Sequence, residues 1–206
     1  MSTSFETSDL ERFRVALSRR FGLFFDDGKL TYLATVLDRR LSTSGAGTEG
    51  YLDRMEGAAP PRDELRELAR ELTVGETYFF RHMAQFRAFA DVALPDRISA
   101  NSEGRHLRLL SAGCASGDEA YSLAILVRER ALDPRWNVAI HAVDLNPAVL
   151  EKADCARYSA WSLRETPSEI QRRWFLAEGR ELVLDQAIRS AVTFEERNLA
   201  QDDPTF

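Results

Sequence analysis

The stretch LLSAGCASGDEAYSLA, residues 109–124, decides the fold. An apolar run leads into two glycines, Gly113 and Gly117, four positions apart with small residues between them. Asp118 and Glu119 follow, and then a helical pattern. Strand, glycine turn and helix in that order open an α/β unit. Glycine lets the backbone turn tightly and approach a ligand, and the helix N-terminus behind it favours an anion. Alone, G-x-x-x-G after a strand reads equally well as turn geometry or as a ligand loop. It lacks the G-K-[ST] of a phosphate loop, and Ala115 stands where a dinucleotide loop carries its middle glycine.

Toward the C-terminus, NVAIHAVDLN predicts a second buried strand ending at Asp144, 31 residues after Gly113. A carboxylate there can accept hydrogen bonds from two ribose hydroxyls, although the spacing is longer than in the dinucleotide fingerprint. Asp118 and Glu119 at the helix start oppose a pyrophosphate but suit a ligand bearing an ammonium and a sulfonium. The pattern points to an adenosine-type ligand of the methionine kind. Asn146 followed by Pro147 caps and opens the next helix, and Thr166, Pro167 and Glu169 do the same for SEIQRRWF. ELVLD and AVTFEERN read as strands, the last ending near Asn198.

Toward the N-terminus, TVGETYFFRHMAQFRAFADVAL predicts a helix from about Tyr78. Its aromatic residues Tyr78, Phe79, Phe80 and Phe86 read as packing in preference to a stacking platform. SDLERFRVALSRRF shows a capping-box pattern from Ser8 to Glu11 and puts Leu10, Phe13, Leu17 and Phe21 on one face. KLTYLATVLDRRLSTSG repeats the spacing with Leu30, Leu33, Leu37 and Leu41 and stops at Gly45. A short helix around Tyr51 to Met55 follows, and Pro60 and Pro61 start RDELRELAREL. The expected division is an all-helical domain over residues 1–72 and an α/β domain over 73–206.

The 206 residues, 44% hydrophobic and 29% charged, suffice for a buried core. A net charge of −6, with both parts mildly acidic, argues against a nucleic-acid partner. No apolar run approaches a membrane span, and the N-terminus lacks the pattern of a signal peptide, so a cytoplasmic location without membrane insertion is expected. Cys114 and Cys155 have no ligand-like spacing, which predicts a reduced protein without a metal site.

Four stretches together resemble the chemotaxis-receptor glutamate methyltransferases, the CheR family. SAGCASGDEAYSLA is similar to its S-A-G-C-S-T-G-E-E-P-Y-S loop, and LTVGETYFFRHMAQF to its L-T-x-N-x-T-x-F-F-R segment. IHAVDLNPAVLEKADCARYS is similar to its A-x-D-I-D strand and following helix, and VTFEERNLAQ to a strand carrying an Asn-Leu pair. The likeness covers roughly residues 8 to 206 in order.

The resemblance implies a small N-terminal helical domain joined to a Rossmann-like methyltransferase domain with a small β-subdomain. It implies transfer of a methyl group from S-adenosylmethionine to glutamate side chains on the cytoplasmic helices of chemoreceptors, with S-adenosylhomocysteine as product. Gly75, Thr77 and Arg81 fall on cofactor-binding positions, with Arg81 beside the transferred methyl. Gly113 belongs to the cofactor loop, Glu119 matches an acid facing the methionine portion, Asp144 the ribose acid, and Asn198 and Leu199 a pair near adenine. Arg39 and Arg40 match a basic helix used for receptor docking, here diluted by Thr35 and Asp38.

Gly75 stands where the family has asparagine, and Ala120 where it has proline. WFLAEGREL, residues 174–182, is short where some members carry a longer loop that grips a receptor tail pentapeptide, so independence from such a peptide is expected. The sequence stops at DDPTF, before the family's Arg-Asn strand, a tyrosine close to the methyl and further strands. The resemblance therefore implies an incomplete methyltransferase domain, a fragment or a chain that pairs with a second copy, with weak cofactor binding or none and no activity by itself, the parent protein being a methyltransferase. Two competing readings are a non-catalytic signalling or scaffold module of the same fold and a nicotinamide-dependent oxidoreductase. The missing middle glycine and the two acids disfavour the latter.

Overall fold

A computed structural model describes residues 5–130 and 132–201. Two compact units emerge from their contacts. Residues 5–73 with 198–201 form the first, and Val74–Arg197 the second. The residues from Asn198 that are described here thus stay with the helical unit, whereas the sequence division assigned them to the α/β domain.

In the first unit, α1 (Thr7–Phe21), α2 (Leu30–Ser44), α3 (Thr48–Glu56) and α4 (Arg62–Leu72) follow one another. Their apolar residues recur at helical spacing, and Phe13, Leu17, Leu33, Leu37, Leu52, Met55 and Leu68 are all buried. The short helix expected around Tyr51 to Met55 is longer, Thr48–Glu56, and includes Gly50. The capping box expected at Ser8 is not formed. The N-cap position is Glu6, and the Ser8 hydroxyl donates to the Glu6 carboxylate at 3.3 Å.

The second unit begins with an irregular stretch and then α5 (Met83–Ala88), a wider π-turn (Phe89–Ala93) and α6 (Leu94–Ala100). The helix expected from Tyr78 starts only at Met83. Phe80 and His82 take left-handed φ values of 58° and 62°, which a right-handed helix excludes. Their neighbourhood is held instead by long-range bonds: the Phe79 N–H donates to the Ser162 carbonyl and the Phe80 N–H to the Ser122 hydroxyl.

The α/β core follows as β1 (His106–Ala112), α7 (Asp118–Glu129), β2 (Asn137–Asp144) and α8 (Pro147–Cys155). Next come β3 (Arg157–Tyr158), α9 (Ser168–Trp174), β4 (Phe175–Glu178), β5 (Glu181–Leu184), α10 (Gln186–Arg189) and β6 (Val192–Glu196). β1, β2 and β6 form a parallel sheet with β2 in the middle, Ala112 opposite Val143 and Asp144 opposite Glu196. This is the Rossmann-like arrangement, with helices linking successive parallel strands. β3, β5 and β4 make the separate small antiparallel sheet. β1 is less buried than its apolar run suggests, and Leu110 is 48% exposed. The Asn146 cap is formed, its side chain accepting from the Ala148 N–H at 2.9 Å. Thr166 does not cap α9; it is buried, and its hydroxyl has no partner among the described residues.

Candidate functional site

The glycine loop is tied to the end of β2. The N–H groups of Gly113 and Cys114 both donate to the Val143 carbonyl, at 2.8 and 3.0 Å. One residue on, the Ala115 N–H donates to one oxygen of the Asp144 carboxylate and the Asn146 N–H to the other, each at 2.8 Å. Asp144 is half-buried at the carboxyl end of the central strand, where α/β sheets bind ligands. A carboxylate has about four acceptor positions, and two are used here, so it remains able to receive two hydroxyls in a fixed orientation.

The two glycines do different things. Both have left-handed φ, 76° at Gly113 and 84° at Gly117. A side chain at Gly117 would strike Phe194 at 2.9 Å and Ala153 at 3.0 Å, so this glycine allows α7 to start close against its neighbours. A side chain at Gly113 would meet no heavy atom within 4 Å. Gly113 therefore borders open space, and its backbone is accessible to a ligand.

The paired acids that open α7 point apart. Glu119 is exposed and accepts a hydrogen bond from the Ser111 hydroxyl at 2.7 Å. Asp118 is only 1% exposed, and burial pushes its carboxyl up to about 6. Ser116 donates to one of its oxygens at 2.7 Å, while the other has no partner among the described residues. Asp118 is thus no partner for a surface ligand, contrary to the sequence expectation that both acids would face one. Cys114 is buried, and burial first, then Asp144, pushes its thiol up to about 12. It stays protonated and is not a nucleophile.

Residues 75–81 reach across the starts of both helices. The Phe80 N–H meets Ser122 on α7 at 3.0 Å, and that hydroxyl donates in turn to the Asp118 carbonyl at 2.6 Å. At the other end, a side chain on Gly75 would come within 3.0 Å of Val149 on α8. Phe79 fills the core edge-on against Tyr158 at 4.8 Å and Phe175 at 5.1 Å, so the aromatic run is mostly packing, as expected. Thr77 is half-buried, whereas Arg81 is exposed and donates to the Glu76 carbonyl at 2.7 Å. Gly75, Thr77, Arg81, Gly113, Glu119 and Asp144 all lie in the second unit, the first three on the stretch that adjoins α7 and α8.

Asn198 and Leu199 belong to the first unit. The Asn198 amide donates to the Arg20 carbonyl and accepts from the Ala200 N–H, and Leu199 is exposed. The two docking candidates separate. Arg39 is exposed and 3.4 Å from Glu71. Arg40 is 6% exposed, bound to Glu64 by two hydrogen bonds of 2.9 and 2.6 Å, and cannot meet a partner. Tyr51 donates to the same carboxylate at 2.6 Å. Burial alone would raise the Glu64 carboxyl, but Arg40 and Tyr51 hold it below its ordinary value. The docking role expected for Arg40 is therefore replaced by a structural one.

Ser111 and Ser122, which hold Glu119 and the Phe80 backbone, were not singled out from the sequence. The only available signal was their spacing, eight residues before Glu119 and four after Asp118.

The residues suit a ligand with a ribose, an adjoining apolar or backbone-contacting part and a cationic end. A family model described as CheR methyltransferase, SAM binding domain, matches residues 75–206. The chain is 30% identical over 201 residues to chemotaxis protein methyltransferase 2 of Vibrio cholerae, an alignment spanning 93% of this chain and 67% of that protein. It is 31% identical over 199 residues to chemotaxis protein methyltransferase 1 of Pseudomonas aeruginosa, spanning 93% and 72%. Chemotaxis protein methyltransferase Cher2 of Pseudomonas putida is 30% identical over 199 residues, spanning 93% and 71%. With a family model matched over well more than half its length and such identity along nearly all of it, the chain belongs to the CheR methyltransferase family.

Proposed function

We propose that this protein methylates glutamate side chains on the cytoplasmic helices of chemoreceptors, using S-adenosylmethionine and leaving a glutamate methyl ester and S-adenosylhomocysteine. One observation carries the proposal. The Asp144 carboxylate is fixed by two backbone N–H groups, and the next carbonyl back receives Gly113, which borders open space. Such a carboxylate is set to take a ribose, and open space beside it to take the rest of an adenosine ligand.

Bound S-adenosylmethionine supplies a methyl group activated by its sulfonium. The chain's own residues then position and balance charge. Asp144 takes the ribose hydroxyls, Gly113 offers backbone at close range, and Glu119, held by Ser111, faces the ammonium end. Gly75 contributes main chain where the family carries asparagine, and Thr77 a hydroxyl. Arg81 orients the acceptor carboxylate for in-line attack. That carboxylate is already ionised at neutral pH, so no strong general base is needed and the rate comes mainly from alignment. Arg39 alone remains as the receptor-docking arginine, and the work is done in the cytoplasm without a tail pentapeptide.

Calorimetric titration of the full-length protein with S-adenosylhomocysteine and with NAD separates the ligand classes, and heat is expected from the former only. Transfer of radiolabelled methyl to receptor should fall about a hundredfold in Arg81→Ala, as for a lost positioning contact. Heat from NAD alone, or full transfer by Arg81→Ala, would refute the assignment. Heat from S-adenosylhomocysteine with no transfer by the unaltered protein would identify a scaffold.

A further inference from the structure

Beside Arg81 lies a group of side chains that the cofactor does not require. Trp161, on a single 3-10 turn (Ala160–Leu163), is 72% exposed. The Arg164 guanidinium lies over two rings, 3.5 Å from the Tyr78 centroid and 4.4 Å from that of Trp161. Arg81 approaches the same Tyr78 ring at 5.7 Å. Two bonds hold this row in place: the Phe79 N–H to the Ser162 carbonyl at 2.9 Å, and the Tyr78 hydroxyl to Glu165 at 3.0 Å. The row therefore runs Trp161, Arg164, Tyr78, Arg81 and is fixed to the stretch that adjoins α7 and α8.

The acids near this row, Glu165 on Tyr78 and the buried Asp118, stop short of an ion pair with its guanidiniums. Among the described residues both guanidiniums donate to main-chain carbonyls, Arg81 to Glu76 and Arg164 to Trp161, and neither forms an ion pair. Elsewhere in the same unit Arg157 and Arg173 each sit on a glutamate at 2.9 to 3.0 Å. Contact with both rings restrains Arg164 in advance, so little side-chain freedom is lost when a carboxylate meets it. Tryptophan, tyrosine and arginine are also the residues that dominate binding energy when covered. An exposed indole adjoining two arginines matches a protein segment that presents carboxylates among apolar side chains.

We propose that Trp161, Arg164 and Tyr78 form a docking rim for the acceptor, an acidic helical segment whose reactive carboxylate is delivered to Arg81. This rests on the methyltransferase reading and adds the surface that selects its protein substrate.

The test uses a fluorescein-labelled Ala/Glu helical peptide, its Ala/Gln counterpart, and S-adenosylhomocysteine, titrated against the full-length protein and its variants. The unaltered protein should bind the Glu peptide and not the Gln peptide. Trp161→Ala and Arg164→Ala should each weaken that binding by about fivefold, Trp161→Phe should retain most of it, and the heat from S-adenosylhomocysteine should be the same for all. Far-ultraviolet dichroism identical to the unaltered protein confirms that each variant is folded. Equal Glu-peptide binding by Trp161→Ala, equal binding of the two peptides, or binding of neither would overturn the rim. Loss of Glu-peptide binding in the variants without any heat from S-adenosylhomocysteine would support the rim and overturn the cofactor reading.

Discussion

The same substitution at the two loop glycines should produce opposite defects. Gly113 and Gly117 have φ of 76° and 84°, so alanine at either carries left-handed strain of about 1–2 kcal/mol. At Gly117 the new methyl also meets Phe194 at 2.9 Å and Ala153 at 3.0 Å. The Phe194 ring is half-buried against the core and Ala153 is fully buried, and overpacking there costs about 1–3 kcal/mol more. Gly117→Ala should therefore lose about 2–5 kcal/mol, and Gly113→Ala only about 1–2. At about 2–4 °C per kcal/mol for a chain of this size, thermal melts followed by dichroism should drop by about 4–20 °C and about 2–8 °C. Ligand binding should reverse the order. The methyl at Gly113 enters open space that the cofactor would occupy, so calorimetry should show a loss of S-adenosylhomocysteine affinity of about tenfold or more, equivalent to roughly 1.4 kcal/mol. Unchanged affinity in Gly113→Ala would mean that the open space is not ligand space. Equal melting losses in the two variants would mean that Gly117 is a turn and not a close approach.

Three further outcomes are expected. Ser122→Ala strands the Phe80 N–H, costs about 1–3 kcal/mol in a chemical-denaturation curve, and weakens S-adenosylhomocysteine binding by loosening residues 75–81; unchanged stability would show that the Phe80 bond is dispensable. Arg40→Ala leaves the half-buried Glu64 without its cation and should cost about 3 kcal/mol, whereas Arg39→Ala should leave the melt unmoved, and the reverse pattern would restore Arg40 to the docking surface. Asp118 has its carboxyl raised to about 6 by burial, so the folded state favours the protonated form and loses stability as pH rises from about 4 through about 6. Asp118→Asn should therefore gain on the unaltered protein across that window, by roughly 3 kcal/mol at its upper end, with no further gain above it; a flat difference from pH 4 to 8 would refute the burial argument.

What could be read in the sequence was local. Helices α1, α2 and α4 announce themselves by leucines and phenylalanines at helical spacing, and β1, the glycine loop and α7 by an apolar run, two glycines and two acids. Asp144 was legible because a strand end and a cap, Asn146 then Pro147, follow each other directly. Two of the misreadings come from partners far along the chain. Residues 78–82 have helix-forming spacing, but the Phe79 and Phe80 N–H groups go to Ser162 and Ser122 instead. Arg40 looked like its neighbour Arg39 until Glu64 and Tyr51 were seen to enclose it.

Asp118 and Glu119 show why such partners matter to the chemistry. On the sequence they are one feature, two acids opening a helix, and both were expected to set the charge of the ligand. Consecutive helical residues point about 100° apart, so only one of the pair can face the loop's open side. Glu119 takes that direction and is exposed, with Ser111 holding it. Asp118 turns inward, where its backbone carbonyl receives Ser122 and its carboxylate receives Ser116. The acid that looked like half of a ligand site is thus part of the scaffold. Its main-chain carbonyl orients the serine that holds Phe80, one residue before Arg81. The backbone at the helix start and the placement of the arginine are linked through a single buried hydroxyl.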